Sequence, residues 1–198
     1  MVFSWFCISL FLRILILMTM SIASPSAIEA LTEYVHSSYQ PEVNRSLRSE
    51  KRDERIELLE MLYTKNHADG VFYRGLSNSS VKIEDGVLLD KGFLSTSESL
   101  DTAMSFAPYQ DAAIFIINVP EGATVIDVNQ IIDCNNEQEI ILPHHSTLEL
   151  QKTVVYSDLP GDSNLSISEF EQEHSGELYE KLLDYERLTV YYFTVRHL

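Results

Sequence analysis

The feature that most constrains this chain is a change of hydrophobic rhythm at Gly70. Ahead of it, apolar residues recur every three or four positions: Ile28, Leu31, Tyr34 and Val35, then, after Pro41 opens a new segment, Ile56, Leu59, Leu62 and Tyr63. That spacing lays an apolar stripe along a helix. Beyond Gly70 the rhythm falls to two, or to short apolar runs, as strands require. It predicts strands at 71–74, 92–96, 112–119, 124–128, 139–142, 147–156 and 188–197, with a turn at Pro120-Glu121-Gly122. A short helix is expected at 98–107, where Leu100, Ala103, Met104 and Phe106 share a side. Helices first and strands afterwards imply an α+β domain. The charged stretch 45–55 reads as a solvated connection or helix face. Residues 157–186 read as an acidic insertion before the last strand, opened by turn formers and helical to 183.

Residues 1–22 are apolar apart from Arg13 and small polar side chains. They read as a secretory signal, cleaved after Ala23, rather than as a membrane anchor, because Arg13 splits the run and Ser21-Ile22-Ala23 offers the small residues of a cleavage site. Membrane contact is then expected only through this segment, and 24–198 is expected to form one domain. Cys7 leaves with the signal, so Cys134 has no disulfide partner; without a companion histidine motif it reads as incidental. The net charge of −16 repels nucleic acid and anionic membrane surfaces. An anionic ligand would need a local basic focus, which singles out Arg74, with Arg48 and Lys91 as helpers.

Three polar motifs stand at the edges of apolar runs. Arg74-Gly75 closes the first predicted strand: a guanidinium presents five donors in a fixed fork to a diphosphate, and a glycine lets the backbone come close. Alone, a surface role or a carboxylate partner is the plainer reading. Ser95-Thr96-Ser97 lies between a predicted strand and the 98–107 helix, where Ser97 and Ser99 are equally good caps, leaving Ser95 free to face a cleft. Glu137-Gln138-Glu139 runs into Ile140-Ile141-Leu142, and if all are extended Glu137 and Glu139 share a side. A carboxylate opening a buried strand is fixed in place with a perturbable pKa. Two on one cleft suit chemistry at a glycosidic carbon. A second copy, Glu171-Gln172-Glu173, continues into the polar His174-Ser175-Gly176, so the first is preferred. His144-His145 would point opposite ways on a strand, so no metal is expected. Asn44, Asn78 and Asn164 each begin a glycosylation acceptor tripeptide.

Taken in order, Tyr73-Arg74-Gly75, Gly92-Phe93-Leu94-Ser95-Thr96-Ser97 and Glu137-Gln138-Glu139-Ile140-Ile141-Leu142-Pro143 resemble the mono-ADP-ribosyltransferase exotoxins. Members of that family carry an arginine, a serine triplet and a Glu-x-Glu pair. Tyr39 through Asn44, with Leu47 and Arg48, is similar to the helical lead-in of the actin-modifying subgroup, and Val119-Pro120-Glu121-Gly122-Ala123 to its mid-sheet turn, so the likeness spans 28–156. The resemblance implies two packed, mainly antiparallel sheets with helices at one side and NAD bound, as substrate, in the cleft between them. It implies that Arg74, with Gly75, holds the NAD phosphates. Ser95, with Thr96 and Ser97, would line the nicotinamide site and position Glu139. Glu139 would hydrogen-bond the nicotinamide ribose and stabilise the oxocarbenium-like state, and Glu137 would orient and help deprotonate the acceptor. An aromatic residue after the triplet, Phe106 or Tyr109, would pack near nicotinamide.

A guanidinium is protonated at neutral pH and becomes nucleophilic only as a carboxylate takes its proton. Family members with glutamate in the first position generally modify arginine, so Glu137 implies an arginine of a protein acceptor, with actin a subgroup-level candidate. No translocation or receptor-binding domain is recognisable, which suits a separate translocation partner, a dedicated secretion route or direct extracellular action. The chain lacks the disulfide framework usual in vertebrate surface members, which favours a bacterial or pathogen-type enzyme. Two other functions stay open. One is an NAD glycohydrolase, with water replacing the acceptor. The other is a non-enzymatic secreted binding or immunity module, suggested by the acidic surface and the unassigned 157–186.

Overall fold

The computed structural model describes residues 23–36, 39–67, 69–88, 90–132, 138–161, 164–178, 182 and 185–196. The signal reading up to residue 22, and the readings of Cys134 and Glu137, lie outside the described residues. The first helix, α1 (Pro25–His36), begins on a proline, whose missing N–H costs nothing there, and Ser24 Oγ accepts from the Ala27 amide at 3.2 Å. Its stripe of Ala27, Ala30, Leu31 and Tyr34 is buried. Next come α2 (Tyr39–Arg48) and α3 (Glu54–Glu60), the latter capped by Asp53, which accepts from the Arg55 amide. The charged stretch 45–55 therefore ends one helix, crosses a short connection and starts the next.

The strands are β1 (Thr64–Lys65), β2 (Gly70–Ser77), β3 (Ile83–Glu84), β4 (Val87–Leu88), β5 (Leu94–Ser97), β6 (Ala112–Val119), β7 (Thr124–Asp127), β8 (Glu139–Leu142), β9 (Leu148–Ser157) and β10 (Arg187–Val195). Among the described residues they hydrogen-bond in the order β1-β7-β8-β5-β2-β6-β10-β9-β4-β3. Every pair is antiparallel except β6 with β10. The order narrows at β5–β2, where a single residue pair is in register, Tyr73 opposite Ser97. Phe72, Phe115, Ile117 and Phe193 from one side of this seam share a core with Leu94, Val125, Ile140 and Leu142 from the other. The sheet therefore curls and its halves pack face to face, which realises the expected α+β architecture of two packed, mainly antiparallel layers.

Each half is backed by helices. Leu31, Tyr34, Val43 and Leu59 from α1–α3 pack with Phe93, Ile126 and Ile141. On the other half, α4 (Leu100–Ser105) and α6 (Ile167–Glu173) bring Leu100, Met104 and Phe170 against Tyr73, Ile114, Tyr156 and Val190. Adjacent Phe72 and Tyr73 thus enter different cores, as a period of two demands. Burying a side chain of this size contributes roughly 1.5–3 kcal/mol, so both walls of the seam have firm backing.

The structure departs from the sequence reading in several places. Strand β2 runs on to Ser77, so Arg74 sits mid-strand instead of at its end. The β3–β4 hairpin escapes periodicity because its strands are so short, although Asp85 and Gly86, with φ of 51° and 77°, are a recognisable turn pair. Val128 opens a short helix, α5 (Val128–Ile131), behind an Asp127 cap instead of closing a strand. The expected 98–107 helix contracts to Leu100–Ser105, and Phe106 turns outward, 63% exposed. Within 157–186 the helix ends at Glu173 and a turn follows at 174–177, where Ser175 and Gly176 are poor helix formers. His144 and His145 lie in a turn, with the His145 φ at 59° and the rings 4.9 Å apart, so the argument from opposite strand faces does not apply. Among the described residues no group of three His, Cys, Asp or Glu side chains is gathered as a metal site, and no helix is long and apolar enough to cross a membrane.

Candidate active site

At the seam between the sheet halves a cleft of about 420 Å³ opens, lined by Tyr34 and Gln40 from the helices, Tyr73, Arg74 and Gly75 from β2, Ser95, Thr96 and Ser97 from β5, and Phe106 and Glu139. Its size falls within the range of small-molecule sites. The ladder between β2 and β5 is confined to Tyr73 and Ser97, and in place of further ladder bonds Arg74 Nη1 donates to the Ser95 carbonyl at 2.6 Å. Arg74 Nε is buried and has no hydrogen-bond partner. Leaving a buried donor unpaired costs about 1–3 kcal/mol, so the site is poised for an acceptor. Burial lowers the pKa of the guanidinium against the pull of Tyr34, Asp90 and Glu139, yet an arginine stays charged at neutral pH.

Arg48 and Lys91 do not join it. Arg48 grips Asp90 with Nε and Nη2 at 2.9 and 2.8 Å, and Lys91 Nζ meets Glu50 at 2.5 Å. Neither lines the cleft. The basic focus expected from three residues is therefore Arg74 alone, because the acidic surface neutralises the other two.

Across from Arg74, β5 and β8 set the remaining groups. Ser97 stands directly opposite Glu139 and Ser95 opposite Ile141, so by the period of two Ser95, Ser97 and Glu139 share one face. Glu139 is 8% exposed. The Ser95 hydroxyl accepts from Gln40 Nε2 at 2.9 Å, while the cap of α4 falls to Ser99, which accepts from the Thr102 amide at 3.2 Å. Ser97 Oγ accepts from the Ser99 amide at 3.0 Å. Thr96 lines the cleft, but its hydroxyl is committed to the Ile140 carbonyl at 2.6 Å, a strut between β5 and β8.

Two expectations change their physical basis. A Cβ on Gly75 would lie 1.8 Å from the Ala103 carbonyl oxygen, so the glycine admits the backbone of α4 rather than that of a ligand. Gln138 has a φ of 46°, a left-handed conformation, so the argument that an extended backbone puts Glu137 and Glu139 on one side does not hold. Glu137 itself lies outside the described residues. Phe106 lines the cleft and is exposed, which removes the reading of it as helix core. Tyr109 is exposed too, packs edge-on against Tyr185 at 5.0 Å and is absent from the cleft lining.

The sequence pattern put Tyr34 on an apolar stripe and Asn44 in a glycosylation tripeptide, and gave neither these two nor Gln40 a place at the cleft. Tyr34 lines the cleft with its pKa raised by burial. Asn44 is 5% exposed. Its amide pairs with Phe93 in both directions, accepting from the Phe93 N–H at 2.8 Å and donating to the Phe93 carbonyl at 3.3 Å. That pairing locks α2 to the residue before β5 and removes Asn44 as a glycan acceptor. The legible signal was a polar residue on a buried helical stripe between Val43 and Leu47.

A family model described as ADP-ribosyltransferase exoenzyme matches residues 60–173. Among solved structures, Plx2a, an ADP-ribosyltransferase toxin from Paenibacillus larvae, aligns with a TM-score of 0.62 at 17% identity, over 89% of this chain and 88% of that one. Exoenzyme S from Pseudomonas aeruginosa, in complex with human 14-3-3 protein beta and bound to carba-NAD, aligns with 0.56 at 19% identity, over 88% and 75%. BECa, an ADP-ribosylating toxin of a Clostridium perfringens binary enterotoxin, solved with NADH, aligns with 0.60 at 14% identity, over 88% of this chain and 44% of its own. At these identities the likeness is one of fold. No curated protein matches the sequence.

Proposed function

The chain belongs to the ADP-ribosyltransferase exoenzyme family, and on that premise we propose that it is a secreted mono-ADP-ribosyltransferase that transfers ADP-ribose from NAD to an arginine of a protein acceptor, releasing nicotinamide. The observation that carries this reading is the meeting, in one cleft, of a half-buried cation whose buried Nε has no partner, Arg74, and a buried carboxylate, Glu139. NAD offers a matching pair of features, an anionic diphosphate and a glycosidic bond to a cationic leaving group. Carba-NAD in Exoenzyme S and NADH in BECa support a nicotinamide dinucleotide as ligand.

Arg74 then pairs with the diphosphate in a setting of reduced dielectric, where one charge is worth more than at the surface. Gly75 keeps α4 close enough for Phe106 to cover the nicotinamide ring. Ser95, held by Gln40, frames the nicotinamide end together with Thr96 and Ser97. Glu139 holds the ribose and faces the positive charge that builds on the ribose carbon as its bond to nicotinamide breaks. An arginine nitrogen of the acceptor bonds to that carbon, and its proton passes to Glu137. The apolar segment 1–22 supports export.

Incubation of the purified chain with labelled NAD and a cell lysate is expected to label one or a few proteins through arginine; release of nicotinamide without labelled protein would indicate a glycohydrolase. Neither release nor labelling would overturn both enzymatic readings in favour of a binding module. Glu137→Gln is expected to lose transfer while retaining slow NAD hydrolysis, and equal loss of both would contradict the role given to Glu137.

A further inference from the structure

We infer that the C-terminal acidic segment braces the wall of the cleft that carries Phe106, with Tyr185 as the positioning residue; the inference rests on the NAD-cleft reading above. Tyr185 lies beyond the residues matched by the family model, and it is 7% exposed. Its hydroxyl shares its one proton between two backbone carbonyls, Met104 O at 2.9 Å and Ala107 O at 3.1 Å. These carbonyls flank Phe106 in sequence. Met104 O also accepts the Ala107 amide at 3.0 Å within the same turn, but a six-residue helix such as α4 cannot sustain itself without tertiary contacts. One tyrosine from a distant part of the chain therefore anchors both sides of the turn that projects an exposed aromatic ring into the cleft.

The segment that delivers Tyr185 is itself anchored. Ile167, Phe170 and Leu182 are buried in the same core as Tyr185, with Leu100, Met104 and Ala107 of the α4 region. The Leu182 amide donates to Glu171 Oε1 at 2.6 Å. A second tether reaches the cleft directly: Tyr73, next to Arg74 and lining the cleft, donates through its hydroxyl to Glu177 Oε2 at 2.8 Å. The brace thus touches the cleft wall at two points, one under Phe106 and one beside Arg74.

Tyr185→Phe tests this, since it removes only the hydroxyl and keeps the ring. Compared with the full wild-type chain, it is expected to raise KM for NAD about fivefold, the loss of one shared hydrogen bond, with kcat of nicotinamide release changed by less than about twofold. Amide hydrogen exchange over 104–110 should quicken, while Tm falls by no more than about 4 °C. Phe106→Ala should raise KM as well, and the double variant should add nothing to it, because Tyr185 acts through Phe106. Unchanged KM in Tyr185→Phe, or additive effects in the double variant, would overturn the inference. Should the wild-type chain not turn over NAD, the functional reading fails and exchange alone decides the brace. Quickened exchange confined to 104–110 upholds it; unchanged exchange removes it.

Discussion

Glu137-Gln138-Glu139 and Glu171-Gln172-Glu173 are the same tripeptide in two surroundings. The second closes α6, a helix started by a full capping box at Ser166 and Glu169. Its carboxylates act as tethers: Glu171 accepts the Leu182 amide, and Glu173 accepts the Tyr156 hydroxyl at 2.7 Å. In the first copy, Gln138 turns the chain in a left-handed conformation and Glu139 opens a strand buried along its whole length. Ser97 stands opposite Glu139, and Arg74 lines the same cleft. A carboxylate on a helix flank finds backbone amides and hydroxyls and becomes part of the scaffold. A carboxylate carried by a buried strand to a cleft that also holds a cation is set up for chemistry.

Neutralising each copy in turn is the strongest way to break this contrast. Glu139→Gln is expected to slow nicotinamide release by about 10³-fold, whereas Glu171→Gln should stay within about twofold of wild type, its tether being worth only about 1 kcal/mol. Comparable losses in initial rate at both positions would erase the distinction. Gly75→Ala comes next and bears on how α4 is held against the active strand. Its methyl would meet the Ala103 carbonyl at 1.8 Å, so denaturant unfolding should show a loss of about 3 kcal/mol; an unmoved midpoint would mean α4 is free to shift.

The smallest effect concerns the scaffold copy alone. The Tyr156 pKa is raised, by burial first and then by its bond to Glu173, and burial raises those of Tyr73 and Tyr63 as well. A proton held more tightly in the folded than in the unfolded chain gives stability that is complete below about pH 10, the ordinary tyrosine value, and is lost as pH rises beyond it. Stability should therefore fall in that alkaline range. Glu173→Gln should lower stability at neutral pH by about 1 kcal/mol and make the alkaline fall shallower, since one cause of the Tyr156 shift is gone. An alkaline fall as steep as in wild type would detach Glu173 from Tyr156.

Much of this was legible before any coordinates. The hydrophobic rhythm marked α1 and the seven longer strands, β6 and β8 among them, because each turns one or both faces to a core and the apolar pattern reports that burial directly. The two-residue strands and the end of α6 were not legible, since a few residues carry no period. Among the cleft residues, Arg74, Ser95 and Glu139 could be singled out because each interrupts an apolar run that sets its register. Gln40 and Tyr34 could not, because their helices had to be packed onto β5 before either could reach the cleft.

The sequence by itself determined the order of helices and strands, the burial of Glu139 at the head of an apolar strand, and the scarcity of positive charge. Only the tertiary structure decided that Arg48 and Lys91 are spent on Asp90 and Glu50, that Gly75 makes room for a helix, and that Gln138 breaks the extended line between the paired glutamates. The physical reason is separation along the chain. Gln40 reaches Ser95 across 55 positions, and Tyr185 reaches Met104 across 81. Local pattern dictates which side of an element is buried, but which elements then face one another is settled by packing.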